Sequence, residues 1–506
     1  MNRIALYAAI NVCFFALVAC GFLFGPATNV HPLYLLLLFV ICSSPMLDMR
    51  QLNDQYAVLG FFSAFYFVLY GALDFSHLIF PQPHSFAPSG NSLSSDGVLS
   101  NTELVILTGG AFAHIAYRLI CRLIPGSNQR LSMDWPERTL VLWGSILWAV
   151  STWLVWKLNV QILVQVTNSV VADAYSRLNG LQIAAFMLAG YFQPLGIVIL
   201  AYAQSRYRRP YMMPLLIAMI GTEMVYGFIS DSKGQVLIGL ALIAITKMLT
   251  DGKIPLARLA VLAIIITIAF PILQANRVIR SEYSENHAQA AQQIGKTLER
   301  ALEAKKEVTT GSDRMDTFLE RMSLKDNVDQ IVSRTGHDIP FQNGHTLFPL
   351  IAVFVPRLVW PTKPDVKTGQ LFNNVFNLAD SDNVYISTSH LGELYWNYGW
   401  SGVIVGMLII GLLLGLVGTL SNLSQSITIT RILVLLATVK LIVLGFESTI
   451  ATQYSVWVRS IVGIGVMHLL FARQLSSAAK IRSDASAYVK SNATMEPESP
   501  FPNLMR

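Results

Sequence analysis

Apolar residues gather in twelve windows along the chain, at 4–24, 31–47, 56–74, 102–121, 138–157, 182–203, 211–229, 235–250, 257–275, 400–420, 430–446 and 454–472. A helix needs about 20 consecutive, mostly apolar residues to cross the hydrocarbon of a bilayer. The windows therefore predict an all-α polytopic membrane protein with about 12 transmembrane helices, nine within 1–275 and three within 400–472. Between the ninth and tenth windows, the polar stretch 276–399 predicts one large loop. Beyond the last window, 473–506 is rich in Ser, Ala and Pro, which predicts a disordered cytoplasmic tail.

The loop has a pattern of its own. Ile294, Leu298 and Leu302 recur at i, i+4 and i+8 amid charged residues, the spacing of an amphipathic helix. Gly311 and Ser312 read as a helix stop followed by an N-cap, and a second helix should carry Met315, Leu319, Met322 and Ile331 on one face. Leu347–Val359 is apolar but too short to span, and Pro349 and Pro356 interrupt it. That combination suits a re-entrant or interfacial segment buried in protein.

Composition narrows the class. Hydrophobic residues make up 53% of the 506 positions and charged residues 13%, with a mean hydropathy of +0.50. A soluble domain carries about 25% charge, so a set of soluble domains is excluded. The net charge of +6 does not point to nucleic acid, because the basic residues sit between apolar segments. Cys13, Cys20, Cys42 and Cys121 lie in or beside apolar windows, so neither a disulfide framework nor a metal site is readable. The first window reads as an uncleaved helix or a signal peptide, and Leu17-Val18-Ala19-Cys20 also fits a lipoprotein cleavage site.

Charge placement sets the expected orientation. One alternate set of short loops and the two ends hold 18 Lys and Arg residues, among them Arg3, Arg50, Arg118, Arg206, Lys247, Arg431 and Arg473. The opposite short loops hold Lys157, Arg177 and Lys233. By the positive-inside rule, both termini are cytoplasmic. The large loop faces outward with 13 Lys and Arg, which long loops tolerate.

Candidate chemistry lies at the ends of the windows. Pro356-Arg357-Leu358-Val359-Trp360-Pro361-Thr362-Lys363-Pro364 sets two cations and an indole on a proline-stiffened turn. Arg grips phosphate as a bidentate fork and Lys as a point charge, so the run suits a lipid-linked phosphate; a plain interfacial anchor explains it equally well. Arg277 and Arg280 leave the ninth window on the same side, and Lys233 closes the turn that begins at Ser230. Asp380-Ser381-Asp382 is an isolated acidic triplet and carries no metal assignment. Ser387–Trp400 then brings a carboxylate, Glu393, an imidazole, His390, and an amide, Asn397, together with Tyr395 and Trp396. Within the windows, Glu223, Lys440, Glu447 and Arg459 are ionisable and costly in lipid, and Glu447 with Arg459 reads as an interhelical ion pair.

The Pro356–Pro364 run, Gly369, and Gly392-Glu393-Leu394-Tyr395-Trp396-Asn397-Tyr398-Gly399-Trp400-Ser401-Gly402 resemble the Wzy-type oligosaccharide repeat-unit polymerases, the O-antigen polymerases. The Ser230–Gly234 turn, with Lys233 where that family usually has Arg, and the Asn276-Arg277 exit are similar in placement. The likeness covers roughly 225–420. It implies a GT-C-like, all-helical glycosyltransferase of the bacterial inner membrane, with the large loop periplasmic and no cofactor. The implied substrates are undecaprenyl-diphosphate-linked oligosaccharides as donor and acceptor, and a chain-length regulator protein is an implied partner.

In such a transfer the leaving group is a diphosphate, so cations must meet developing negative charge. Arg277 and Arg357 are the candidates at the reacting centre, with Arg280, Lys363 and Lys233 binding substrate. The acceptor hydroxyl needs a general base, for which Glu393 and His390 both stand. Trp360, Tyr395 and Trp396 suit stacking on sugar or lipid, and Asn397 suits a sugar hydroxyl. Two other readings stay open: a ligase that moves the same glycan to another acceptor, and a transporter or flippase of lipid-linked sugars. A transporter would want broken helices along a midplane path, whereas the unusual chemistry here is concentrated in one loop.

Overall fold

The computed structural model describes residues 3–24, 30–51, 53–79, 99–124, 133–165, 180–229, 233–251, 322–352, 360, 368–379 and 385–472. For 24, 158–165, 180–191, 226–229 and 233–238 it describes the backbone alone. Among the described residues every regular element is a helix.

The amino-terminal half begins with α1 (Arg3–Phe24), α2 (Pro32–Ser43) and the short α3 (Pro45–Asp48). Pro32 and Pro45 each sit in a first helical turn, where the missing N–H costs nothing, and the second window is divided at Ser44. The third window is also bent, by 55°, between α4 (Ala57–Tyr70) and α5 (Ala72–Ile79). α6 (Asn101–Leu123) opens on a capping box, in which the Ser100 hydroxyl accepts from Glu103 N–H and the Glu103 carboxylate accepts from Ser100 N–H. The long α7 (Glu137–Gln165) and α8 (Gly180–Tyr207) pair through Gly144 and Gly196, where a Cβ on Gly196 would lie 2.7 Å from the Gly144 carbonyl oxygen. α9 (Met212–Ile229) and α10 (Lys233–Asp251) complete this half.

Three short helices follow: α11 (Lys325–Arg334), α12 (Phe348–Ala352) and α13 (Thr368–Phe376). α14 (Ser389–Leu420) is the longest described helix. α15 (Ile429–Thr438) continues into a π-helical turn at Val439–Val443 and a 3-10 turn at Leu444–Glu447, and α16 (Ile450–Phe471) closes the described chain. α14 packs along α6, and one continuous apolar core runs from Phe14 to Met467.

Six described helices are long and apolar enough to cross a membrane: α1, α6, α7, α14, α15 with its π and 3-10 turns, and α16. The bent α4–α5 pair makes a seventh if it is one span. Eleven of the twelve windows carry helix, and the ninth, 257–275, lies outside the described residues. Two elements depart from the sequence expectation. α14 begins at Ser389 and not near Trp400, because its first turns are polar and are buried by tertiary partners instead of by lipid. The amphipathic helix expected around Met322 and Ile331 begins only at Lys325 and buries Val328, Ile331 and Val332, while Met315 and Leu319 lie outside the described residues. The helix expected around Ile294–Leu302, the Asp380–Asp382 triplet and the tail also lie outside them. Of the segment 347–359, Leu347 and α12 are the described part, with Pro349 in the first turn of the helix. Glu447 and Arg459 are exposed and do not pair with each other among the described ion pairs.

Candidate functional site

The first turns of α14 gather the polar groups singled out in the sequence. Ser389 takes φ +56, a left-handed conformation costly for a side-chain-bearing residue, and its hydroxyl accepts from Gly392 N–H at 3.1 Å. The helix then places His390, Glu393 and Asn397 at i, i+3 and i+7, on one face, and all three are fully buried. Gly392 lets α11 approach closely on the adjoining face, where a Cβ would lie 2.8 Å from the end of the Ile331 side chain.

At Gly399 the helix breaks, with φ +61 and ψ −141, a conformation open to glycine. The break strips the preceding carbonyls of their helical partners. The loop before α12 supplies replacements: Gln342 N–H donates to the Trp396 carbonyl at 3.0 Å, and Asn343 N–H donates to that of Asn397 at 3.2 Å. Asn397 fastens the loop from its side chain. Its Oδ1 accepts from Gly344 N–H at 2.8 Å, and its Nδ2 donates to Thr346 Oγ1 and to the Glu393 carbonyl, each at 2.7 Å.

Glu393 lies beneath this loop. Its Oε2 accepts from Ile450 N–H at 2.7 Å, capping α16 with a carboxyl group from another helix. Its Oε1 is buried against the Thr346 hydroxyl. His390 packs its ring on Phe446, at 4.7 Å between centroids, and on Tyr454, at 5.5 Å; neither ring nitrogen has a protein partner. A buried carboxyl group is a candidate for accepting a proton.

The remaining sequence candidates divide. Trp396 is fully buried against Phe372 and Phe376 of α13, at 5.8 and 5.3 Å, so its rings are spent on packing. Tyr395 is also buried, with its ring 6.4 Å from Trp400, and Trp360 is half-buried. Lys233 opens α10, and its side chain lies outside the described residues, as do Arg277, Arg280, Arg357 and Lys363. Glu223 is buried in α9 and interacts electrostatically with Lys440 of the π-helical turn, without a direct ion pair.

Sequence reasoning missed a charge cluster at the same end of α4–α6. Lys325 Nζ donates to Asp74 Oδ2 at 2.6 Å and to Glu103 Oε1 at 3.1 Å, and it lies 4.4 Å from the centre of the Tyr34 ring. Glu103 also meets His31 at 3.1 Å, and Thr102 donates to Asp329 at 2.6 Å. Asp74 and Glu103 lie at the ends of the windows 56–74 and 102–121, so the argument that marked Glu223 and Lys440 would also have found them. Burial works to lower the Lys325 pKa, but Asp74 and Glu103 outweigh it and hold the group above the ordinary lysine value. A raised lysine pKa stabilises the fold at every pH below the unfolded value and loses that contribution only as pH climbs through the raised one. The cluster clamps α11 onto the bundle, directly over Gly392. Lys325→Met should therefore cost about 3–5 kcal/mol by leaving two enclosed carboxylates without their cation. A thermal melt of the variant, with hydrogen exchange across 324–334, reads the loss; an unchanged melt would show that the clamp carries no stability.

Fold and site together describe an all-helical protein with the pattern of a multi-pass membrane protein, with Glu393 and His390 both buried at the head of a kinked helix. The chain belongs to the DUF8712 family, a domain of unknown function, whose family model matches residues 154–447. The match runs from within α7 to the 3-10 turn after α15 and so includes Glu393, His390 and Asn397. No curated protein and no solved structure matches the chain.

Proposed function

We propose that the protein is a glycosyltransferase of the bacterial inner membrane, with both termini cytoplasmic, that polymerises undecaprenyl-diphosphate-linked oligosaccharide repeat units at the periplasmic face. The observation that carries this reading is Glu393, a buried carboxyl group on the Gly392–Gly402 motif, with one oxygen held by Ile450 N–H and the other against Thr346 of the loop before α12. The acceptor hydroxyl oxygen forms the new bond to the anomeric carbon of the donor, and its proton passes to Glu393. The bond from that carbon to the diphosphate oxygen breaks, and undecaprenyl diphosphate leaves with the bonding pair. Arg277 and Arg357, with Arg280, Lys363 and Lys233, meet the diphosphate charge, where a guanidinium holds two oxygens at once.

Deletion of the gene tests the reading. Loss of a polymerase leaves single repeat units on the cell surface. Long chains retained on undecaprenyl diphosphate would instead identify a ligase, and units stranded on the cytoplasmic side a flippase. Arg357→Lys keeps the charge but removes the fork. Complementation with this variant should shorten the polymer, and chains of normal length would remove Arg357 from the diphosphate site.

A further inference from the structure

A cavity of about 440 Å³ opens where α8 ends, α9 begins and α10 ends. Tyr202, near the end of α8, donates to the Ile427 carbonyl of the α14–α15 connection at 3.1 Å. Glu393 stands near the other end of α14, a helix of 32 residues that spans roughly 45 Å. The cavity therefore lies at the end of the bundle away from Glu393. Its volume is that of a small-molecule site. Gln204, Ser205 and Arg208 line it from α8 and the turn that follows, Met213 from α9, and Lys247 and Asp251 from α10.

The lining is charged but unpaired. Arg208 and Lys247 bring two cations and Asp251 one carboxylate, which leaves one positive charge in excess. Among the described residues none of the three side chains completes an ion pair. That holds although Lys247 and Asp251 stand at i and i+4 on α10, a spacing at which such pairs close. Gln204 Oε1 is buried and accepts no hydrogen bond from the protein. Arg208 takes φ +52 just beyond the end of α8, a place where glycine is the usual residue. The positive-inside rule accounts for cations at this end. It does not account for a carboxylate and an orphan amide oxygen in the same cavity.

An apolar track leads away from the cavity. Met213, Ile217, Gly221 and Val225 follow one another at four-residue steps on α9, and all four are exposed. A Cβ on Gly221 would meet nothing within 4 Å, so the row is open along its length. A phosphodiester monoanion would cancel the excess charge, since guanidinium and ammonium groups both bind phosphate. Asp251 and Gln204 Oε1 call for hydrogen-bond donors, which hydroxyl groups supply. The exposed row suits an acyl chain. Basic pockets between membrane helices are where anionic head groups bind.

We propose that this cavity holds the headgroup of an anionic phospholipid with free hydroxyls, of which phosphatidylglycerol is the simplest. Its phosphate sits on Arg208 and Lys247, its hydroxyls meet Asp251 and Gln204, and one acyl chain follows the α9 row. Such a lipid braces α8, α9 and α10 at the end of the bundle away from Glu393, and it takes no part in the transfer reaction.

Native mass spectrometry of the full-length protein in detergent tests the site by titration with phosphatidylglycerol, phosphatidylmethanol, phosphatidylcholine and glycerol 3-phosphate. One phosphatidylglycerol should bind roughly tenfold more tightly than phosphatidylcholine, and Arg208→Gln or Lys247→Gln should each weaken it by a similar factor. Both side chains are at least partly exposed and unpaired, so these variants keep the fold. Phosphatidylmethanol has the same charge without hydroxyls and should bind less tightly; equal affinity would overturn the roles of Asp251 and Gln204. Glycerol 3-phosphate binding as tightly as the lipid would overturn the lipid assignment. Arg138→Gln is the control, because Arg138 is exposed at the same end, beside the Glu137 that pairs with Arg209, and lies outside the cavity. An equal loss in Arg138→Gln would mean unspecific attraction to the surface and would overturn the site.

Discussion

Glu393→Gln should stop chain extension while leaving the protein folded. Gln occupies the same volume, and its amide oxygen can keep the 2.7 Å bond from Ile450 N–H, so the cap of α16 survives. What is lost is the ability to take a proton, a contribution worth about 10²- to 10⁴-fold for a positioned general base. Cells complemented with this variant should display single repeat units, the phenotype that the proposed function expects of a gene deletion, while membrane levels and melting temperature match the wild type. Polymer of normal length would exclude the carboxyl group from the reaction. Glu393→Ala is the less informative substitution, because it also removes the cap, worth about 1 kcal/mol, and opens a cavity beneath the loop that Asn397 fastens.

The largest effect on stability is expected at Gly415. Gly411, Gly415 and Gly418 recur at i, i+4 and i+7 on α14 and let it lie directly against α6. A Cβ on Gly415 would lie 2.8 Å from the Tyr117 carbonyl oxygen and would collide with the Ile120 side chain. Cβ atoms on Gly411 and Gly418 would collide with the Ala113 carbonyl and the Tyr117 hydroxyl. Gly415→Leu must therefore push two helices apart. Overpacking costs about 1–3 kcal/mol when side chains yield, and more when backbone must move, against a total stability of about 5–15 kcal/mol. The variant should fail to accumulate in membranes, or melt far below the wild type. Gly465→Ala is the matching control, since a Cβ there meets nothing within 4 Å. Equal melts for Gly415→Leu and the control would mean that the α6–α14 contact is looser than its geometry.

The separation of these two sites along one helix bears on what was legible in advance. Eleven apolar windows coincide with helices because a span must be apolar for about 20 residues whatever it packs against. The extra turns of α14 were not legible, because hydropathy reads His390, Glu393 and Asn397 as loop residues. They became helical and buried once Gln342 and Asn343 satisfied the carbonyls freed at Gly399 and Ile450 met Glu393. The candidate pair Glu393 and His390 was visible as chemistry on a motif, but nothing local ranked one above the other.

By itself, the sequence determined the helical class, most of the helix positions, and the identity of a motif dense in carboxylate, imidazole and aromatic groups. Hydrophobic windows and side-chain chemistry are local properties, and they can be read along a chain. The tertiary structure alone decided that Trp396 packs inside the core, that Lys325 reaches Asp74 and Glu103 across more than 200 residues, and that Tyr454 meets His390. Each of those facts depends on which distant surfaces come together. Buried polar atoms take their meaning from their neighbours, and those neighbours are set by helix packing and not by spacing along the sequence.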